Sequence, residues 1–292
     1  MNLSQFLQFL FSGVTNGSIY ALAALGFSII YNASGVINFA QGEFIMIGGM
    51  VTVFLVGTGV PIWLAIPLAV AAAMLVGLAL EKFAVERAGT AEIVPLIIIT
   101  IGASMFLQGI AQVLFGKSQY ALRSFSGDAP IHVLGATLLP QSLWVIGVLA
   151  VIVAALWWFF SRTLTGKARL ATAANPLAAR LVGINTKFVL MLSFGLAAIL
   201  GSVAGIIVAP ITLTSYDVGI MLGLKGFVAA TLGVLGNGVG AVVGGLLLGI
   251  TEAMAAGYLS SEYKDAVPFV LIILILFFLP RGLFGARVTE RV

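Results

Sequence analysis

Few side chains in this sequence could do chemistry. Asn38, Gln41 and Glu43 fall in the stretch NFAQGEF (38–44), with Gly35 and Gly42 beside them. A second set, Lys225, Thr231 and Glu252, is embedded in apolar sequence much further along. Two uses fit such groups: they line a hydrated path for a polar solute, or they fix helix–helix contacts where water does not reach. An ionised side chain at the centre of a bilayer costs about 2.5–3.5 kcal/mol on insertion scales. Each charge must therefore face water, find a partner or lie near an interface. Hydrolytic chemistry has no residues to carry it. There is no cysteine, the single histidine is His132, and no Ser-x-x-Lys or histidine–carboxylate set suggests intramembrane hydrolysis. TGKA (165–168) lacks the upstream glycine and the following Ser or Thr of a phosphate-binding loop, so ATP hydrolysis is not expected of this chain. No cofactor, metal site or nucleic-acid partner is expected either.

A different kind of site is written in ATAANPLAARLVGIN (171–185). Asn175 suits a helix N-cap, Pro176 the first helical position and Gly183 the left-handed residue after the end. Leu177 and Leu181 stand four residues apart on one face, with Ala178 and Val182 beside them and Arg180 between. A helix of about two turns is marginal in water by itself, so a partner is expected to stabilise it. That partner is either a groove on a soluble subunit, or the lipid headgroups on which an interfacial helix would lie.

The elements that position these residues are apolar. The 292 residues are 61% hydrophobic and 8% charged, against about 25% charged in soluble domains. Continuous runs such as LIILILFFL (271–279) exclude the alternation of a β-barrel and predict an all-α, polytopic membrane bundle over 1–292 as a single domain. Eight long spans are expected, at 6–30, 36–57, 61–80, 94–115, 142–160, 188–209, 238–257 and 267–284. A shorter Gly-rich piece, 219–236, precedes the seventh. The opening MNLSQFLQFLF has no basic start and is expected to be retained as a span. Gly13 with Gly17, Gly201 with Gly205, Gly240 with Gly244 and Gly245 with Gly249 carry the four-residue spacing that lets helix backbones approach in lipid.

Basic residues orient the chain. Loop 161–188 holds Arg162, Lys167, Arg169, Arg180 and Lys187 with no acid, which predicts a cytoplasmic location. Counting back places the N-terminus outside. Arg281, Arg287 and Arg291 ask for a cytoplasmic C-terminus, which requires 219–236 to cross as a ninth segment. A re-entrant 219–236 is the alternative. Glycine-broken, polar-bearing pieces occur once in each half, at 35–49 and 219–238. Such pairs point to a site where solute crosses.

The stretch TGKARLATAANPLAARLVGIN (165–185) resembles the cytoplasmic coupling loop of bacterial ABC-importer permeases. GSIYALAALGFSIIYNASGVINFAQGEFIMIG (17–48), GLKGFVAATLGVLGNGVGAVVGGLLLGITEA (223–253) and YLSSEYKDAVPFVLIILILFFLPRGLFG (258–285) are similar to branched-chain amino acid permeases, in order along nearly the whole chain. The resemblance is to the smaller of the two permease subunits. It implies a second, related permease, two ATP-binding cassette subunits that bind the ATP, one of them docked on 175–183, and an extracytoplasmic binding protein. It places the chain in the bacterial inner membrane. The implied solute is a branched-chain amino acid; other members of the family carry other amino acids, urea and short amides, or aromatic acids.

Overall fold

The computed structural model describes residues 3–88, 93–278 and 282–285. Arg281, Arg287 and Arg291 lie outside the described residues, as do residues 279–281 of the expected last span. The helices are α1 (Leu3–Ser34), α2 (Gln41–Gly57), α3 (Ile62–Leu80), α4 (Glu86–Ala88), α5 (Ile93–Phe115), α6 (Pro140–Arg162), α7 (Leu164–Ala174), α8 (Pro176–Leu181), α9 (Thr186–Thr212), α10 (Val218–Gly233), α11 (Gly238–Tyr258) and α12 (Val267–Phe278). A π-helical turn (Glu81–Val85) joins α3 to α4, and a 3-10 turn (Ser261–Ala266) leads into α12.

Among the described residues, six helices are long and apolar enough to cross a membrane: α1, the α3–α4 unit, α5, α6, α9 and α11. This is fewer than the eight expected. The difference lies partly in α2, which starts at Gln41 rather than 36 and has 17 residues, a rise of about 26 Å. Residues 35–40 are irregular because Gly35 turns the chain with φ +70° and Asn38 Oδ1 takes up the Ala40 N–H at 3.1 Å. The α10 helix is shorter still, with 16 residues.

The expectation of an all-helical chain needs one correction. Strands β1 (Ile131–Val133) and β2 (Ala136–Leu138) form an antiparallel hairpin with Val133 opposite Ala136. Its two central residues, Leu134 and Gly135, have φ of 51° and 85°, the left-handed pair that a tight hairpin turn requires. Leucine is an uncommon residue there, which hides the turn in the sequence.

The core is organised around α1, which packs on α11, α9, α10, α6 and α2. The small-residue pairs bring these helices together inside the chain. A methyl on Gly17 would lie 2.8 Å from the Leu246 Cα, and one on Gly245 would overlap the backbone of Ala21. Gly201 and Gly205 face α2 at Phe44 and Ile45, and Gly240 and Gly244 face α10 at Gly233 and Ala229. Close backbone contact supplies the dispersion energy that apolar lipid tails otherwise match.

The contacts sort the connections into two ends. At one, Asn32 Nδ2 donates to the Gly236 carbonyl, the Leu283 N–H to Leu232, Arg169 to Ile29, and Lys187 pairs with Glu86 at 3.0 Å. At the other, Gln8 bonds both ways to Thr137, Tyr120 pairs with Thr214, and Phe9 meets Tyr258 edge to face. Helix starts at the first end carry side-chain caps: Thr163, Asn175, Asn185 and Asn237 each accept a backbone N–H. Exposed Trp157 and Trp158 lie toward that end of α6 and Trp144 toward the other, separated by roughly 20 Å of rise. Such aromatic girdles mark bilayer interfaces.

Candidate functional site

Loop 161–188 holds two helices where one was expected. α7 continues from α6 after a break at Thr163, whose hydroxyl accepts the Gly166 N–H at 3.0 Å. Gly166 permits the bend, since a Cβ there would overlap the Phe159 carbonyl. One face of α7 is buried through Arg169 and Thr172. Arg169 donates to the Ile29 carbonyl at 3.1 Å and lies 4.4 Å from the centroid of the Phe160 ring, which ties the loop to α1 and α6. Burial draws its guanidinium down to about 10, still charged at neutral pH.

α8 then stands off the bundle. Asn175 Oδ1 accepts the N–H groups of Leu177 and Ala178, both at 3.0 Å; Pro176 is the first helical residue; Gly183 closes the end with φ +87°. Arg180 Nε donates to Thr186 Oγ1 at 2.9 Å. Only Ala179 is buried in this helix. Leu177, Leu181 and Val182 are 72%, 89% and 76% exposed. This leaves an exposed apolar trio on a helix whose backbone is capped at both ends.

The polar residues divide into two groups. Lys225 and Glu252 meet at 2.8 Å, and Lys225 also reaches Asp265 at 2.7 Å and the Tyr20 hydroxyl at 3.3 Å. Lys225 and Glu252 are buried, while Asp265 opens to solvent from the 3-10 turn. The hydrogen bond from Lys225 holds the Asp265 carboxyl below the usual carboxylate range. Tyr20 and Asp265 were not anticipated. Their separations from Lys225, 205 and 40 residues, leave no local signal.

The other group gathers where α2 begins. Glu43 stands in the first turn of α2. Its Oε1 accepts from Ser104 Oγ and Gln108 Nε2 of α5, both at 2.8 Å; its Oε2 has no partner among the described residues. Gln41 wedges between α1 and α9, donating to the Ala197 carbonyl at 3.0 Å, and a Cβ on Gly26 would overlap its amide. Asn38 closes its own turn, and its Nδ2 is unpartnered. The Thr231 hydroxyl donates to the Phe227 carbonyl in the preceding turn of its own helix, at 2.9 Å. The six residues singled out in the sequence are thus not one cluster. Lys225 joins Glu252, Glu43 joins α5, and Gln41, Asn38 and Thr231 each bond to backbone groups.

A model of the family described as "Branched-chain amino acid transport system / permease component" matches residues 9–276. The chain belongs to this permease family. The relatives of this permease include the high-affinity branched-chain amino acid transport system permease protein LivH of Escherichia coli (strain K12), 36% identical over 307 residues and covering 98% of each chain. BraD of Pseudomonas aeruginosa, described in the same terms, is 32% identical over 304 residues with the same coverage. The ribose import permease protein RbsC of Escherichia coli (strain K12) is 27% identical over 277 residues, 91% of this chain and 83% of that one. Such permeases are transporter subunits and not enzymes, and the apolar helices agree with a multi-pass inner-membrane protein.

Proposed function

We propose that this chain is a membrane-spanning subunit of an ATP-driven importer of branched-chain amino acids, and that helix α8 is its handle for the motor. The exposed Leu177, Leu181 and Val182 on a doubly capped helix carry this reading. The family and its 36% identical relative supply the solute class. The partners are a second homologous permease, two ATP-binding cassette subunits that bind the ATP, and an extracytoplasmic binding protein. The chain acts as a single permease domain, 1–292, with no cofactor of its own.

Closure of the ATPases moves α8. The motion passes through α7 and Arg169 to α1, the helix on which most of the bundle packs. The differential contacts of α8 in the two states supply the coupling free energy. The basic loop 161–188 and the turns 81–88 and 234–238 then face the cytosol, and the N-terminus and the hairpin face outside. The sorting of contacts into two ends supports nine crossings, with α2, α10 and α12 as the short ones. The solute path runs past Glu43, whose free Oε2 and neighbours Ser104 and Gln108 offer polar contacts near the break before α2. Lys225 and Glu252 gate it.

The test is uptake of radiolabelled leucine into cells whose complex carries Leu177→Asp with Leu181→Asp. Uptake is expected to be abolished while the chain still inserts, and the ATPase should no longer co-purify. Normal uptake by this variant would mean that α8 merely lies on lipid headgroups.

A further inference from the structure

A long groove runs between α1, α6 and α11, with a volume of about 1170 Å³. Of the residues given a part in transport above, only Arg169, on the route from α8 to α1, lines it. Its walls are apolar for most of their length, as at Leu25, Leu149, Val153, Val242 and Leu246. One end differs. There the lining is Arg169 with Asn32, Ser161 and Asn237. Arg169 is 3% exposed, makes a single hydrogen bond, and has no carboxylate within 4 Å among the described residues. Its Nε and the hydroxyl oxygen of Ser28, another lining residue, have no partner among the described residues. A buried cation facing an apolar groove lacks its counter-ion.

We infer that this groove binds one anionic phospholipid, its phosphate at Arg169 and an acyl chain laid between α1, α6 and α11. Three observations select this ligand. Trp157 of the lining and its neighbour Trp158 are exposed beside the polar end, which places that end at headgroup depth. The N-terminus of α11 points its positive dipole end to the same place. The lining runs from Asn32 back to Val14 on α1 and from Ser161 back to Ile146 on α6, about 27 and 22 Å of rise, a trough long enough for one extended acyl chain beneath its headgroup. A free anion would satisfy Arg169 and leave the trough unfilled. A partner helix would fill the trough and would have to bring its own acid.

The experiment uses the full-length chain in nanodiscs, with Trp63→Phe, Trp144→Phe and Trp158→Phe so that Trp157 alone reports. Brominated phosphatidylglycerol and brominated phosphatidylcholine are compared as quenchers in a phosphatidylcholine background. The anionic lipid is expected to bind about fivefold more tightly, as one basic residue near the membrane surface allows. Arg169→Gln should erase that preference. Ala154→Phe, which narrows the trough and leaves Arg169 in place, should weaken both lipids. Equal quenching by the two lipids, or a preference that survives Arg169→Gln, overturns the site. Displacement by inorganic phosphate would make it a free-anion site, and loss of quenching on assembly with partner subunits would give the groove to another chain. Either result also overturns the lipid assignment.

Discussion

Helix α8 and the Lys225 cluster are opposite inversions of the usual rule. One puts Leu177 and Leu181 in the open; the other puts Lys225 and Glu252 in the interior. Each arrangement is unfavourable alone, and the two are resolved differently. Lys225 finds its partners within the chain, from three separate elements. α8 has caps for its backbone but nothing over its apolar face. A self-satisfied inversion holds a fold together, whereas an unsatisfied one on a rigid support points outward to an assembly.

Breaking the cluster should do the most damage to the fold. Lys225→Met leaves Glu252 buried and uncompensated, a loss of about 3–5 kcal/mol. Chemical unfolding in detergent should show it, and pairing the change with Glu252→Leu should restore a large part. If the single variant is as stable as the parent, the cluster does not hold the fold together. Packing around the cluster comes next. Gly245→Val forces α11 off α1 at Ala21, and the expected cost is about 1–3 kcal/mol; Gly57→Ala, in open space, is the control.

The cap on α8 is worth less. Asn175→Ala removes the acceptor for two N–H groups at a cost of about 1 kcal/mol, local to α8, so hydrogen exchange should quicken at Leu177 and Ala178 while the bundle stays protected. Asp265 tests the solvent-facing edge of the cluster. Its carboxyl is held below its ordinary value of about 3.9 by Lys225. The stability it lends is complete above that value and disappears as pH falls through the folded-state value. Asp265→Asn should therefore flatten the acid limb of a stability–pH profile below about pH 4; an unchanged limb would release Asp265 from the cluster. Smallest of all should be the effect of the Leu177→Asp, Leu181→Asp variant on the isolated chain, within about 0.5 kcal/mol, despite the loss of uptake expected of it. That contrast is the sharpest test of the comparison.

Legibility in the sequence followed range. The α8 helix was readable because its signals are local: cap, proline and glycine act within a few residues. The long apolar helices were readable for the same reason, though Gly35 and Asn38 delayed the start of α2 in a way hydropathy does not register. The hairpin was missed because leucine occupies a left-handed turn position. α7 was missed because its buried face depends on Arg169 reaching Ile29, 140 residues away.

The sequence alone determined that the chain is a helical membrane protein, that it carries a capped helix at 175–183, and where helices can touch through glycine. Those properties follow from hydropathy, capping and the four-residue spacing, all short-range. Only the tertiary structure decided that Lys225 answers Glu252, Asp265 and Tyr20, that Glu43 turns to α5, and that Arg169 is left facing a groove. A buried charge takes whichever partner the packing delivers, and that partner can come from anywhere along the chain.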